Sequence, residues 1–289
     1  MKIAFVGTGK MGLPMARHLA NGGHEVVVFD IAPAQTDAAR AAGLTVAASL
    51  AEAVGGAEAT FSSMPHDAAF AAVATQVAAA ARPGALYIDT STISPTASAV
   101  AAETLAARDI GYLRVTVSGN NHMAEAAKLT SMVSGPARAY ERVQPLLALF
   151  GPTQFYLGDG EQARLMKLVI NLLIGLTSGM LAEALTLGQK GGLDWQAMWD
   201  VIGASAVASP IVKAKSVQLS VHDYTPTFTV DQMLKDVGLI LDAGADLRVP
   251  MGLTALLGQM LQGAAAQGFA GDDYAAVIKS AARAAGLPG

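Results

Sequence analysis

The chain has 289 residues, 52% hydrophobic and 15% charged, a balance that supports large buried surfaces and argues against disorder. Nineteen Lys and Arg against 23 Asp and Glu give a net charge of −4 without any block of like charge, so nucleic acid and anionic membrane are poor partners. With no cysteine there is no disulfide framework, thiolate nucleophile or Cys-built metal site.

Domains usually run to ~100 to 200 residues, so this length fits two units. The N-terminus runs from Met1 straight into a glycine motif with no secretory pattern ahead of it, from which a cytoplasmic location is expected. Apolar runs at Ile3 to Val6, Val26 to Asp30, Ala59 to Ser63, Leu86 to Asp89, Tyr112 to Val117 and Phe155 to Leu157 read as strands. Ala-rich helical stretches such as Met11 to Asn21 and Ala34 to Ala42 lie between them. This alternation predicts a doubly wound, mainly parallel α/β sheet covered on both faces.

Gly7-Thr8-Gly9-Lys10-Met11-Gly12 fits G-x-G-x-x-G between an apolar strand and a helix, the setting of a Rossmann dinucleotide site. There Gly7 permits the turn, Gly9 lets backbone approach a pyrophosphate, and Gly12 allows close helix packing; a glycine-rich turn without ligand is the plainer alternative. Asp30, 18 residues beyond Gly12, ends the next strand, where a carboxylate accepts from both adenosine ribose hydroxyls and repels a 2′-phosphate. No Arg follows at Ile31 or Ala32, so NAD is favoured over NADP. Met64-Pro65 and Asp89-Thr90-Ser91-Thr92 end two further strands of the same crevice, although Ser94-Pro95 reads equally as a helix cap.

After Gly158-Asp159-Gly160 the texture turns to long Ala/Leu/Met-rich helical segments, interrupted at 205–210 and 224–228. The expected division is a dinucleotide-binding domain over 1–160 and an all-α domain over 161–289 for substrate and dimerisation. The helix from about Gln162 to Lys190 extends ~40 Å. Its membrane-like stretch, Leu165 to Leu187, carries Lys167, Asn171 and Glu183 and reads as buried in protein. Lys167 and Asn171, four residues apart, share one face of that apolar helix and require partners; a snorkelling lysine is the bland alternative.

With these residues in hand, the chain resembles the β-hydroxyacid dehydrogenase family, which includes 3-hydroxyisobutyrate dehydrogenase and tartronate semialdehyde reductase. The resemblance runs in order through Gly7 to Gly12, Met64-Pro65, Asp89 to Thr92, Val117-Ser118-Gly119, Lys167 with Asn171, and Lys235-Asp236. It implies that Lys167 is the catalytic acid/base and that Asn171 orients substrate. It further implies that Ser118-Gly119 holds the substrate carboxylate, that Lys235 lies at the cofactor edge, and that Asp236 anchors Lys235. A base must take the hydroxyl proton as hydride leaves the carbinol carbon; a lysine serves if its pKa falls from ~10.4 toward neutrality. The family also implies helical domains that pair as dimers or tetramers.

The chain departs from the family where Asp-Ala-Pro-Val-Ser-Gly-Gly becomes Arg114-Val115-Thr116-Val117-Ser118-Gly119-Asn120, followed by Asn121-His122. Asn120, Asn121 or His122 reads a further polar group on the substrate, or all three face solvent. Two rival functions stay open: an imine reductase of similar fold, which usually carries Asp or Tyr where this chain has Lys167, and a nucleotide-binding protein without turnover. His18, His24, His66 and His222 lack metal-ligand spacing, and no metal is expected.

Overall fold

The computed structural model describes residues 1–287; the last two positions of the expected helical domain, 288 and 289, lie outside the described residues. The chain divides into two compact units, Met1–Lys167 and Leu168 onward.

The first unit alternates strands and helices. It runs β1 (Lys2–Val6), α1 (Gly12–Asn21), β2 (Glu25–Phe29), α2 (Pro33–Ala41), β3 (Thr45–Val46), α3 (Leu50–Gly55), β4 (Ala59–Ser62) and α4 (Asp67–Ala80). It continues through β5 (Leu86–Asp89), α5 (Pro95–Ala106), β6 (Gly111–Ser118), α6 (Asn121–Glu125), β7 (Thr130–Ser134), α7 (Ala137–Ala148) and β8 (Thr153–Tyr156). The eight strands form one sheet in the order β3-β2-β1-β4-β5-β6-β7-β8. Every neighbouring pair is parallel except β6 with β7, as the mainly parallel reading expects.

Both sheet faces are covered, which explains why the strands read as unbroken apolar runs. Along β1, Ile3 and Phe5 join one core with Met15, Leu19, Phe61 and Phe150, while Ala4 and Val6 join the other with Phe70, Val77 and Leu105. Successive side chains point to opposite faces, so each core takes alternate residues. Two strands escape the sequence reading. β3 is only two residues long, and β7, Thr-Ser-Met-Val-Ser, buries serines where an apolar run would have marked it.

The helix α8 (Gln162–Lys190) begins in the first unit and continues in the second. There follow α9 (Trp195–Ala204), α10 (Pro210–Leu219), α11 (Val230–Asp246), α12 (Gly252–Ala264) and α13 (Val277–Ala284). A π turn at Ala265–Phe269 and a 3₁₀ turn at Tyr274–Ala276 separate the last two. The helical core gathers Leu181, Leu185, Trp199, Met233, Val237, Leu257 and Leu261.

Among the described residues, α8 is the one helix long and apolar enough to span a membrane by length and composition. Only 39% of its most apolar window is buried, less than the sequence reading of a buried helix expected. Val169, Leu173, Met180 and Leu187 are exposed, the last three at seven-residue spacing and therefore on one face.

Candidate active site

The glycine loop is held by covalent geometry and by one carboxylate. Gly7 has φ +87°, and a Cβ there would meet Met64 Cε at 2.3 Å and the Ser63 carbonyl at 2.5 Å. At Gly12 a Cβ would stand 1.9 Å from the Gly7 carbonyl oxygen, so α1 packs on the turn only without a side chain. Gly9 differs: nothing lies within 4 Å of its Cβ position. That open space over exposed backbone fits a pyrophosphate approaching the N-terminus of α1. Lys10 is exposed and Met11 packs at the core edge.

Asp30 does more than the sequence suggests. Its Oδ2 accepts from the Thr8 N–H at 2.7 Å, and its Oδ1 accepts from the Ala32 N–H at 2.9 Å. The same carboxylate thus fixes the fully buried Thr8 within the loop and supplies the negative charge beside it.

The ends of β4 and β5 are joined by a buried polar cluster. Ser62 Oγ lies 2.5 Å from Asp89 Oδ1 and 2.7 Å from Tyr87 Oη, and Ser91 Oγ donates to Asp89 Oδ1 at 2.6 Å. The Met64 N–H donates to Ser91 Oγ at 2.7 Å, and the Thr90 hydroxyl donates to the Ser62 carbonyl. Pro65 is exposed and Thr92 half-buried on these same loops. The cap that Ser94-Pro95 suggests is present: Ser94 Oγ accepts from the Ala97 N–H.

The first turn of α8 supplies a cation to this cluster that sequence reasoning missed. Arg164, fully buried, donates from Nη2 to Asp89 Oδ2 at 2.5 Å and to Tyr112 Oη at 2.9 Å, and from Nη1 to the Ser91 carbonyl at 2.5 Å. Burial works against the guanidinium charge, but Tyr112 and Asp89 outweigh it and raise its pKa above the ordinary arginine value. Burial in turn pushes the Tyr112 and Tyr87 phenols up. Arg164 precedes Lys167 by three residues in an apolar helix, the same signal that drew attention to Lys167 itself.

Arg114, where the family carries aspartate, is buried in an ion pair with Glu161 and stacks over the Tyr112 ring at 4.4 Å. Ser118 ends β6, and Gly119 needs its positive φ of +135° because a Cβ would meet Leu129 Cδ2 at 2.7 Å. The three departures now separate. Asn120 Oδ1 is engaged as the cap of α6, accepting from the Met123 N–H, and His122 is exposed beside Glu125. Asn121 Oδ1 is shielded from solvent with no hydrogen-bond partner.

Lys167 is half-buried on α8, one helical turn before Asn171. In the helical unit Asn171 Nδ2 donates to Asp236 Oδ2 at 2.5 Å, and Lys235 Nζ stands 2.6 Å from Asp236 Oδ1. Asn171 and Asp236 are buried and Lys235 is 30% exposed, so the motif brings an amide, a carboxylate and a partly exposed cation together.

The profile of the NAD binding domain of 6-phosphogluconate dehydrogenase matches residues 2–158. The profile described as NAD-binding of NADP-dependent 3-hydroxyisobutyrate dehydrogenase matches residues 161–281. A 2-(hydroxymethyl)glutarate dehydrogenase of Eubacterium barkeri is 34% identical over 96% of this chain and 94% of its own. The chain belongs to the β-hydroxyacid dehydrogenase family.

Family members are nicotinamide-dependent oxidoreductases acting on hydroxy acids, and the solved structures agree. The 3-hydroxyisobutyrate dehydrogenase of Mycobacterium tuberculosis, solved with L-serine, superposes with a TM-score of 0.88 at 31% identity, covering 96% of this chain and 98% of that one. An imine reductase from Pseudomonas sp. stands further off, with a TM-score of 0.62 at 20% identity over 96% of this chain and 98% of its own, and shares the fold alone.

Proposed function

We propose that this chain oxidises a small β-hydroxy acid with NAD, Lys167 serving as the acid/base. The observation that carries the reading is the half-buried Lys167 on α8, one turn before an amide tethered to Asp236. Bound nicotinamide would accept the hydride from the carbinol carbon. Lys167 takes the hydroxyl proton in that direction, and as an ammonium it returns it to the developing alkoxide in the other. Asp236 occupies one N–H of Asn171, which leaves the amide oxygen and a second N–H to orient the hydroxyl and its carbon. Ser118 and the backbone at Gly119 hold the carboxylate, and Asp236 anchors Lys235.

The solvent-shielded oxygen of Asn121 favours a substrate that carries a donor, an amino or hydroxyl group, beside its carboxylate. The test is the rate at which the reduced nicotinamide appears across 3-hydroxyisobutyrate, serine, threonate and glycerate, with Lys167→Ala alongside. Turnover by the wild type alone supports the reading. Cofactor binding without turnover of any of them overturns it in favour of a binding role.

NAD is the cofactor we infer, because Asp30 sets a negative charge where NADP carries its 2′-phosphate. Asp30→Asn keeps an acceptor for the Thr8 N–H while removing the charge. It lowers the ratio of kcat/KM for NAD over NADP by about tenfold, roughly 1.4 kcal/mol. An unchanged ratio, measured with both cofactors, sinks the assignment.

We also infer a cytoplasmic homo-oligomer, a dimer or tetramer, built on the exposed face of α8. Leu173, Met180 and Leu187 form an apolar stripe that a solvated monomer would not favour. Light scattering after size exclusion gives at least twice the chain mass, and Leu173→Lys with Met180→Lys shifts it toward the monomer. A wild type that stays monomeric at every concentration contradicts this.

A further inference from the structure

We propose that Arg164 is a positioning residue for the reaction: through Asp89 and Ser91 it locks the turn of α8 that carries Lys167 to the strand-end loops of the cofactor crevice. The inference rests on the acid/base role of Lys167 proposed above. Arg164 and Lys167 both lie within the first unit, so the argument needs only contacts inside it.

The network runs without a gap. The guanidinium grips the Asp89 carboxylate and the Ser91 carbonyl on one stretch of chain, the Tyr112 hydroxyl on β6 and, at 3.4 Å, Ser98 Oγ on α5: four acceptors on three pieces of chain. Asp89 passes the constraint to Ser62 and Ser91, and Ser91 passes it to the Met64 backbone. The turn is pinned from its other side as well: Thr116 Oγ1 donates to the Ala163 carbonyl, and Ser134 Oγ accepts from the Ala163 N–H. Arg164 is thus the member of α8 that touches the end of β5 and, through Asp89, is linked to the end of β4.

A fixed fork is what such a junction needs. Arginine presents its donors in a rigid plane, whereas lysine offers one ammonium on a flexible stem and meets four separated acceptors poorly. A buried ion pair adds little stability over an apolar replacement of the same volume, so the pair is better explained by the geometry it enforces. Misplacement of a reacting group by about 1 Å costs up to roughly a hundredfold in rate. The glycine loop is held by Asp30 rather than by Arg164, so the cofactor's phosphate cradle stands outside this network.

The test compares wild type, Arg164→Lys and Tyr112→Phe. The second variant removes one hydroxyl from the guanidinium and keeps the ring that stacks on Tyr87 and Arg114. In Arg164→Lys, kcat falls about tenfold or more, while KM and NAD affinity stay within about threefold. In Tyr112→Phe, kcat falls less, by about threefold, with the melting temperature little changed. Hydrogen exchange without substrate accelerates together at 89–92 and 163–167 in Tyr112→Phe.

Exchange that accelerates while kcat per folded molecule stays at the wild-type value makes Arg164 merely structural and overturns the proposal. So does unchanged exchange at both segments. If Arg164→Lys does not fold, Tyr112→Phe decides by the same two readouts. A wild type silent on every hydroxy acid overturns the function proposed above instead, and the exchange result then judges the junction alone.

Discussion

Lys167→Ala lowers kcat by about 10²- to 10⁴-fold, the range that a positioned general acid or base supplies. NAD binding survives, because the glycine cradle and Asp30 do not depend on this side chain. Lys167→Arg fails comparably: guanidinium retains the charge but cannot give up a proton near neutrality, so it binds the hydroxyl and never accepts from it. Steady-state rates with a cofactor titration on the same samples separate the two effects. Loss of NAD affinity with kcat intact would assign Lys167 to the cofactor instead.

Asp273→Ala destabilises the helical unit by about 3 to 5 kcal/mol, the cost of stranding one member of a buried pair. Both Asp273 oxygens face Lys215 Nζ, at 2.7 and 2.6 Å, and the ammonium stacks over the Tyr274 ring at 4.5 Å. The same carboxylate accepts from Thr227 and from the Ala275 N–H, so it knits α10, the 224–228 loop and the 3₁₀ turn into one junction. The only tryptophans, Trp195 and Trp199, lie in this unit, so their fluorescence in urea reports its unfolding. Lys215→Met combined with Asp273→Asn loses much less, since no cation is left uncompensated. Equal losses in the single and double variants would contradict this account.

What was legible in the sequence follows period and spacing. Gly7, Gly9 and Gly12 could be assigned separate duties because backbone conformation and close approach are properties of residue type, and the structure gives each a different surrounding. The long helix was legible from its predominantly apolar composition and its length. What stayed hidden are contacts between residues remote in sequence. Asp89 reads as a strand-end residue until Arg164, 75 residues later, arrives beside it. Lys215 looks like any helix lysine until Asp273 closes on it from 58 residues away. Asn120, read either as a substrate contact or as a solvent-facing residue, has its oxygen occupied by a local cap that only the backbone geometry of α6 reveals.

Asp30 has a consequence for how this protein can diverge. The oxygen that orders Thr8 belongs to the same carboxylate whose charge faces the cofactor's ribose end in the proposed complex. A lineage drifting toward a phosphorylated cofactor therefore cannot simply discard the acid, because the loop amide would lose its acceptor at the same step. The accessible path passes through a neutral acceptor first, and only afterwards through a basic residue at Ile31 or Ala32. Coenzyme choice in this chain is inherited together with the shape of the turn.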